Sequence, residues 1–332
     1  MAGAVSQNDT THVPQTAAQH DTVSVVVPVW NEQNSIPVFL DELERVVREC
    51  SEKFDLEIVF VNDGSTDATE MAVATEADAR AIPIRLVNLS RNFGKDAALA
   101  AGLAAAQGAA VVPMDVDLQD DPSVLPDMVQ KWRAGAQVVN ARRVDRSADG
   151  FVKRTTSGAF YKVFNALADH PIPENVGDFR LLDRQVVDVL TQIGERARFN
   201  KALFSWVGFR TEEVTFERAE RKAGTTKWNW WKLWNFALDG IFTSSTKPLR
   251  IWSYCGLIMA SLAFLYAGFI LLYTLVMGRE TPGFATTIIL ILFFGGVNLI
   301  ALGIIGEYVG RIYAEVRARP LYVIRSIVER DD

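Results

Sequence analysis

Three polar clusters stand directly after runs rich in β-branched residues. Asn31-Glu32 follows Thr22–Pro28, Asn62-Asp63 follows Leu56–Val61, and Asp115-Val116-Asp117, with Gln119, Asp120 and Asp121 behind it, follows Ala110–Met114. Asp115 and Asp117 are spaced i, i+2. Carboxylate and amide oxygens at this spacing can share a hard divalent cation such as Mg2+ or Mn2+. A lone D-x-D is more often a solvated acidic turn. Its place at the end of a buried strand, opposite two further polar clusters, favours the metal reading here. A cation among acids suits a diphosphate ligand, and Glu32 and Asp63 can accept hydrogen bonds from a base N–H and a ribose O–H. Two other nucleotide chemistries are excluded. The chain has no G-x-x-x-x-G-K-[ST], and no G-x-G-x-x-G follows the first run.

The elements that must position these residues read as alternating strands and helices. Thr22–Pro28, Leu56–Val61, Ile84–Asn88, Ala110–Asp115 and Gln137–Ala141 are apolar runs of strand length, typical of strands buried on both faces. Between them, helices are expected from Ser35 to about Glu49, from the Asp63-Gly64-Ser65-Thr66-Asp67 turn to about Arg80, over Lys95–Gln107, and over Pro122–Ala134. Short links and this alternation predict an α/β domain: a mostly parallel sheet with helices on both faces. Ligands of such sheets bind beyond the carboxyl ends of the strands, which puts all three polar clusters on one rim.

The rest of the chain divides sharply. Residues 1–20 are polar, lack Lys and Arg, and read as a disordered tail. The catalytic domain is expected over 21–226. Ile251–Met277 is a run of 27 residues without a charge, and Gly283–Gly306 a run of 24. A bilayer core takes about 20 apolar residues, so two transmembrane helices are expected, over 251–277 and 284–306, joined as a hairpin. Five of the eight tryptophans fall between 228 and 252. Trp230, Trp234 and Leu238 share one helical face, which predicts an interfacial amphipathic helix within 227–250. Lys247 and Arg250 precede the first span; Arg311, Arg317, Arg319 and Arg325 follow the second; the tip carries Arg279 beside Glu280. The excess of basic residues at the ends predicts an integral inner-membrane protein with its catalytic domain, both termini and the 307–332 segment cytoplasmic.

Composition excludes other classes. A formal net charge of −6 argues against nucleic acid as a partner. Two cysteines, Cys50 and Cys255, are too few for a disulfide framework or a cysteine zinc site. With two of the three histidines in the leader (His12 and His20, apart from His170), a histidine metal centre is disfavoured.

An ordered set of stretches resembles the motifs of glycosyltransferase family 2. These are Val25–Glu32, Val61–Asp67, Leu89-Ser90-Arg91-Asn92-Phe93-Gly94-Lys95 and Met114–Gln119. Gly177–Arg184 and Arg221-Lys222-Ala223-Gly224-Thr225-Thr226-Lys227-Trp228, together with the hairpin, resemble its polyprenyl-phosphate branch of bactoprenol glucosyltransferases and dolichyl-phosphate mannose synthases. The resemblance implies a GT-A fold, a nucleotide-sugar donor, a lipid-phosphate acceptor and Mg2+ or Mn2+ as cofactor. By position, Pro28, Trp30, Glu32, Val61 and Asp63 match the nucleotide pocket. Asp115, Val116 and Asp117 match the D-x-D, with Asp117 and Gln119 as direct metal ligands alongside Asp115. Arg221 and Lys227 match a basic pair at the diphosphate. Arg142 matches a phosphate-contacting arginine, with Arg143 an adjacent rival, and Arg154 is its counterpart at the acceptor phosphate. Asp178 is a candidate base or positioning group. Trp30 and Trp228 stand where tyrosine is frequent, and Asn62 where a second aspartate often occurs.

A phosphate monoester is mostly a dianion at neutral pH and hardly needs a base, so a single inverting displacement of the hexose is expected. The late motifs favour UDP-glucose as donor and undecaprenyl phosphate as acceptor. A homo-oligomer, with a tetramer suspected from the resemblance, and a separate flippase complete the expected partners, since two helices form no translocation path alone. A processive polysaccharide synthase is the competing enzyme, but the chain lacks Q-x-x-R-W and has one hairpin. A non-catalytic nucleotide-binding scaffold is the competing class; the intact D-x-D argues against it.

Overall fold

The computed structural model describes residues 22–50, 54–143, 165, 171, 173, 176–195, 200–216, 247–277 and 283–329. The 1–20 tail, Arg154, Arg221, Lys227, Trp228 and the tryptophan-rich stretch as far as residue 246 lie outside them.

Among the described residues, eight strands form one sheet: β1 (Thr22–Val29), β2 (Asp55–Asn62), β3 (Ile84–Leu89), β4 (Ala110–Pro113), β5 (Val138–Arg143), β6 (Val176–Asp183), β7 (Thr211–Phe216) and β8 (Ile324–Glu329). Their spatial order is β7-β5-β6-β4-β1-β2-β3-β8. The centre is parallel: β1 pairs with β2 and β4, and β2 with β3. β6 runs antiparallel between β4 and β5, β7 is parallel to β5, and β8 lies antiparallel on β3. This is the mostly parallel, helix-covered α/β sheet that the strand pattern predicts, with β6 inserted antiparallel between β4 and β5 and with β7 and β8 added at the edges.

The helices are α1 (Ser35–Glu49), α2 (Thr69–Ala79), α3 (Lys95–Ala105), α4 (Leu125–Arg133), α5 (Arg184–Gln192) and α6 (Asn200–Trp206). They fall on two faces because the central strands bury apolar side chains on both sides. Val25, Val27, Ile58 and Phe60 pack with Phe39, Leu40 and Leu43 of α1, Val73 of α2 and Met128 of α4. Val26, Val59, Val61 and Val87 point the other way, against Leu99 and Leu103 of α3, Val187 and Leu190 of α5, and Phe204 of α6. Residues alternate across a strand, so continuous apolar runs demand cover on both sides.

Two long helices follow, α7 (Lys247–Met277) and α8 (Phe284–Val316). Both are long and apolar enough to cross a membrane, and none of their apolar length is buried in the protein. α8 runs on past the charge-free stretch through a Glu307–Arg311 pair one turn apart. The chain then returns to the sheet as β8, so the segment after the hairpin is part of the catalytic domain's edge.

α3 lies very close to the sheet. A Cβ on Gly102 would overlap Val26 Cγ1 and stand 2.9 Å from Val61 Cγ2. Helix propensity alone makes Gly→Ala favourable by up to about 1 kcal/mol, but both valines are fully buried and stiff at χ1. Gly102→Ala is therefore expected to reverse that sign and cost about 1–3 kcal/mol, read as a lower thermal midpoint of the purified protein.

Candidate active site

The strand ends bring the polar clusters to one rim, and the loops there are stitched together. Asn31 takes a left-handed backbone (φ 56), a conformation asparagine tolerates better than most residues. Its Oδ1 accepts the Thr66 N–H at 2.8 Å, and its own N–H donates to Ser65 Oγ at 3.0 Å. The Glu32 N–H donates to the buried Thr69 hydroxyl at 2.9 Å, and its carboxylate accepts from Ser35 Oγ at 2.7 Å. The β1–α1 and β2–α2 loops are thus one unit. Trp30 stands beside it, 45% exposed.

Asp63 is buried, and its two oxygens accept the backbone N–H groups of Phe93 (2.7 Å) and Gly94 (2.9 Å). A side chain on Gly64 (φ 65) would come within 2.5 Å of the Arg91 carbonyl carbon, so only glycine lets the two loops approach this closely. Asp63 consequently fixes the backbone immediately before α3.

The first residue of α3 is Lys95. Its Nζ lies 2.7 and 2.9 Å from Asp115 Oδ1 and Oδ2, and 3.0 Å from Asp178 Oδ2. Asp178 reaches this point from a break in the ladder: Asn140 pairs with Arg180 and Arg142 with Val176, so Gly177, Asp178 and Phe179 bulge opposite Ala141. A bulge of this kind re-aims a side chain. Burial alone would lower the Lys95 pKa; the charges of Asp115 and Asp178, and the hydrogen bonds they accept, outweigh it and push it well above the ordinary lysine value. The group therefore stays an ammonium.

Beyond Asp115 the chain kinks at Leu118, a buried residue at φ 52. Strain at such a position is expected where geometry matters. The kink turns Gln119 back so that its N–H and carboxamide donate to the two Asp117 oxygens, at 3.2 and 2.9 Å. Asp117 and Gln119 thus form an adjacent oxygen-bearing pair of the kind a hard cation takes. Among the described residues no three His, Cys, Asp or Glu side chains converge as a metal cage. A cation here would need further oxygens from a ligand. Asp120 is buried and meets Arg143 at 3.2 Å; Arg142, exposed, meets Glu213 of β7 at 3.1 Å.

The structure thus gathers Glu32, Trp30, Asp115, Asp117, Gln119 and Asp178 near the strand ends, and Pro28 is the penultimate residue of β1, two before Trp30. The Val61 and Val116 side chains are packed in the core instead, so any ligand contact there falls to backbone. Lys95, quoted within a motif but given no role by the sequence, is the residue that pattern reading misses. One signal was present: a lysine opening a helix opposes the helix dipole and needs acidic partners.

Residues 24–191 match glycosyl transferase family 2, and residues 247–312 match the GtrB C-terminal hairpin. The chain belongs to glycosyltransferase family 2. The family resemblance is thereby borne out, and with it a glycosyltransferase on a GT-A sheet carrying an apolar two-helix hairpin. The SfII prophage-derived bactoprenol glucosyl transferase of Shigella flexneri is 50% identical over 306 residues, 92% of this chain and 97% of that protein. A prophage bactoprenol glucosyl transferase homolog of Escherichia coli K12 is 48% identical over 307 residues, 92% of this chain and 99% of that one. A solved glucosyl-3-phosphoglycerate synthase of Mycobacterium tuberculosis, with Mn2+ and UDP-glucose bound, is 21% identical and covers 67% of this chain and 77% of its own, at a TM-score of 0.43. That last likeness is too distant to bear on ligands.

The rim loops also carry a pH signature. Partial burial would raise the Asp67 pKa, but hydrogen bonds from the Thr69 hydroxyl and N–H and from the Gln33 N–H hold it below its ordinary value of 3.8. A carboxylate with a depressed folded pKa stabilises the fold above its unfolded value, and that stability is lost as pH falls through the folded one. Asp67→Ala is expected to cost about 1 kcal/mol at neutral pH, as for loss of a helix cap. Asp67→Asn, which keeps an acceptor, should cost less. The gap in thermal midpoint between wild type and Asp67→Asn should persist at pH 7 and 5 and close as pH drops below 3.8.

Proposed function

We propose that the chain transfers a hexose, glucose by preference, from a UDP-sugar to undecaprenyl or a related polyprenyl phosphate at the cytoplasmic membrane face, by a single metal-assisted displacement that inverts the anomeric carbon. The observation that carries this reading is the juxtaposition of the Asp115, Asp117 and Gln119 rim with Asp178, in a family 2 chain that matches the GtrB hairpin. The near full-length likeness to proteins named bactoprenol glucosyl transferase supports both the sugar and the lipid.

In this reading Trp30, Glu32 and Asp63, with backbone at Pro28 and Val61, form the nucleotide pocket. Asp117 and Gln119, joined by Asp115, hold Mg2+ or Mn2+; a bound cation supplies charge stabilisation to the departing diphosphate. The difficulty of the reaction is that two anions must meet. At about 4 Å and an effective dielectric near 20, each pair of unit charges costs about 4 kcal/mol. Arg142, Arg154, Arg221 and Lys227 offset that repulsion. The acceptor phosphate is itself the nucleophile, so Asp178 orients it more than it deprotonates it.

The hairpin keeps this rim beside the lipid. Because β8 joins the same sheet as the rim strands, the chain both leaves for and returns from the hairpin on the catalytic side, in agreement with Lys247 and Arg250 before α7 and Arg317, Arg319 and Arg325 after α8. Gly295, Gly296, Gly303, Gly306 and Gly310 of α8 meet nothing within 4 Å of an added Cβ. Small residues of this kind favour close helix association in lipid, which supports assembly as a homo-oligomer, a tetramer by resemblance. Export of the product falls to a separate flippase.

Membranes containing the protein and undecaprenyl phosphate, offered radiolabelled sugar nucleotides, should label the lipid from UDP-glucose and release UDP only with the lipid present. NMR of the product should show the inverted anomer. Asp117→Ala should fall to background, whereas Asp178→Asn should keep a measurable rate. A retained anomer, or label taken only from another donor, would overturn the corresponding part of the reading.

A further inference from the structure

The acid cluster already contains a cation of its own. Lys95 Nζ contacts both oxygens of Asp115 and one of Asp178, all at 2.7–3.0 Å. The helix itself does not favour this arrangement. A lysine at the first position of α3 faces the positive end of the dipole, and the neighbouring Asp96 carboxylate accepts from the Asn200 amide at 2.8 Å. Asp63, which holds the Phe93 and Gly94 N–H groups, imposes it from outside by setting where α3 begins.

The same contacts bear on metal loading. With no three-ligand cage among the described residues, the cluster offers a free ion little without oxygens from elsewhere. One of its carboxylates, Asp115, has both oxygens engaged by the ammonium. A divalent ion arriving alone must displace Lys95 and strand a positive charge beside itself. A donor diphosphate changes this, because its oxygens give the ammonium another anionic partner. The Lys95 side chain is 47% exposed and sits on a flexible four-carbon stem, so it can turn from Asp115 to a phosphate oxygen. Asp115 is then free for the ion, and the diphosphate supplies the oxygens the cage lacks.

We propose that Lys95 is a resident placeholder cation that withholds Asp115 from the divalent metal until the nucleotide diphosphate arrives, so that metal and donor load as a pair. This rests on the metal reading of Asp115, Asp117 and Gln119. The same displacement releases Asp178, which makes it available to the acceptor only once the donor is in place. Coupling of this kind is reciprocal: metal tightens the nucleotide by the factor by which the nucleotide tightens the metal.

Calorimetric titration of Mn2+ into the full-length protein in detergent, with and without UDP, tests the proposal without turnover. Wild type should bind Mn2+ weakly alone, with UDP tightening it about tenfold or more, within the usual range for coupled sites. Lys95→Met should bind Mn2+ alone about tenfold more tightly, and its response to UDP should shrink to about threefold or less. Lys95→Arg keeps the charge and should behave as wild type. Circular dichroism checks the fold, and Lys95→Gln replaces Lys95→Met if the latter is misfolded. The proposal is overturned if the neutral variant leaves both the Mn2+ affinity and the UDP coupling unchanged, or if wild type binds Mn2+ equally well with and without UDP. A different result, no Mn2+ binding by wild type even with UDP and no change in Asp117→Asn, would remove the metal assignment itself.

Discussion

Negative charge collected at the carboxyl ends of a buried sheet must be matched group by group, and the rim of this protein is organised around that requirement. A carboxylate taken out of water without partners is costly enough to unfold a domain. Each acid here is matched differently. Asp63 takes two backbone N–H groups, Asp67 the Thr69 hydroxyl and amide, Asp117 the Gln119 carboxamide, and Asp120 the Arg143 guanidinium. Asp115 and Asp178 share one ammonium. The first two arrangements fix backbone. The shared ammonium is the one that a ligand can exchange, because its carrier is long, flexible and open to solvent.

Rigidity beneath the rim makes such an exchange meaningful. β1 and β2 are buried on both faces, and α3 is pressed so closely onto them that only glycine fits at position 102. Above this platform the loops are cross-tied: Asn31 to Ser65 and Thr66, Gln33 to the Ala68 N–H, and Asp63 to the loop that opens α3. Two of the three non-glycine residues with positive φ among those described, Asn31 and Leu118, lie beside the acid clusters. Local strain there is held by the surrounding packing.

Much of this is legible in the sequence. The β-branched runs state a parallel sheet because nothing else buries a strand on both faces, and the polar residues that end those runs must then share a rim. β6 escapes the same reading: Asp178 and Arg180 interrupt its apolar pattern, and Gly177 is a poor strand former. β8 escapes it for another reason. Ile324, Arg325, Ser326, Ile327, Val328 and Glu329 do not alternate, since an edge strand reached after a membrane hairpin is set by its partner β3 and not by a face of its own. Lys95 hides because its role is tertiary. Its partners are 20 and 83 residues away, and only a bulge in β6 brings the second within reach.

That late edge strand ties the lipid anchor to the site. β8 begins eight residues after the end of α8, and the Ser90 N–H donates to the Val323 carbonyl at 2.9 Å, at the mouth of the loop that leads to Lys95. From β8 inward the contacts are continuous: Arg325 to Glu70, Ser326 Oγ to the Asn88 amide, Asn88 Oδ1 to the Asn62 amide, and Asn62 Oδ1 to the Ser65 N–H in the turn that holds Asn31. Asn62 and Asn88 are buried, so these bonds are not traded for water without cost. An asparagine serves at position 62 where an aspartate would not: it donates to one neighbour and accepts from another, and a chain of bonds that crosses two strands needs both capacities. The consequence is geometric. A hairpin joined to the domain only by a flexible link would leave the rim free to tumble relative to the bilayer. Here the returning strand ties the β3 edge, and through it the turns around Asn31 and Lys95, to the end of α8.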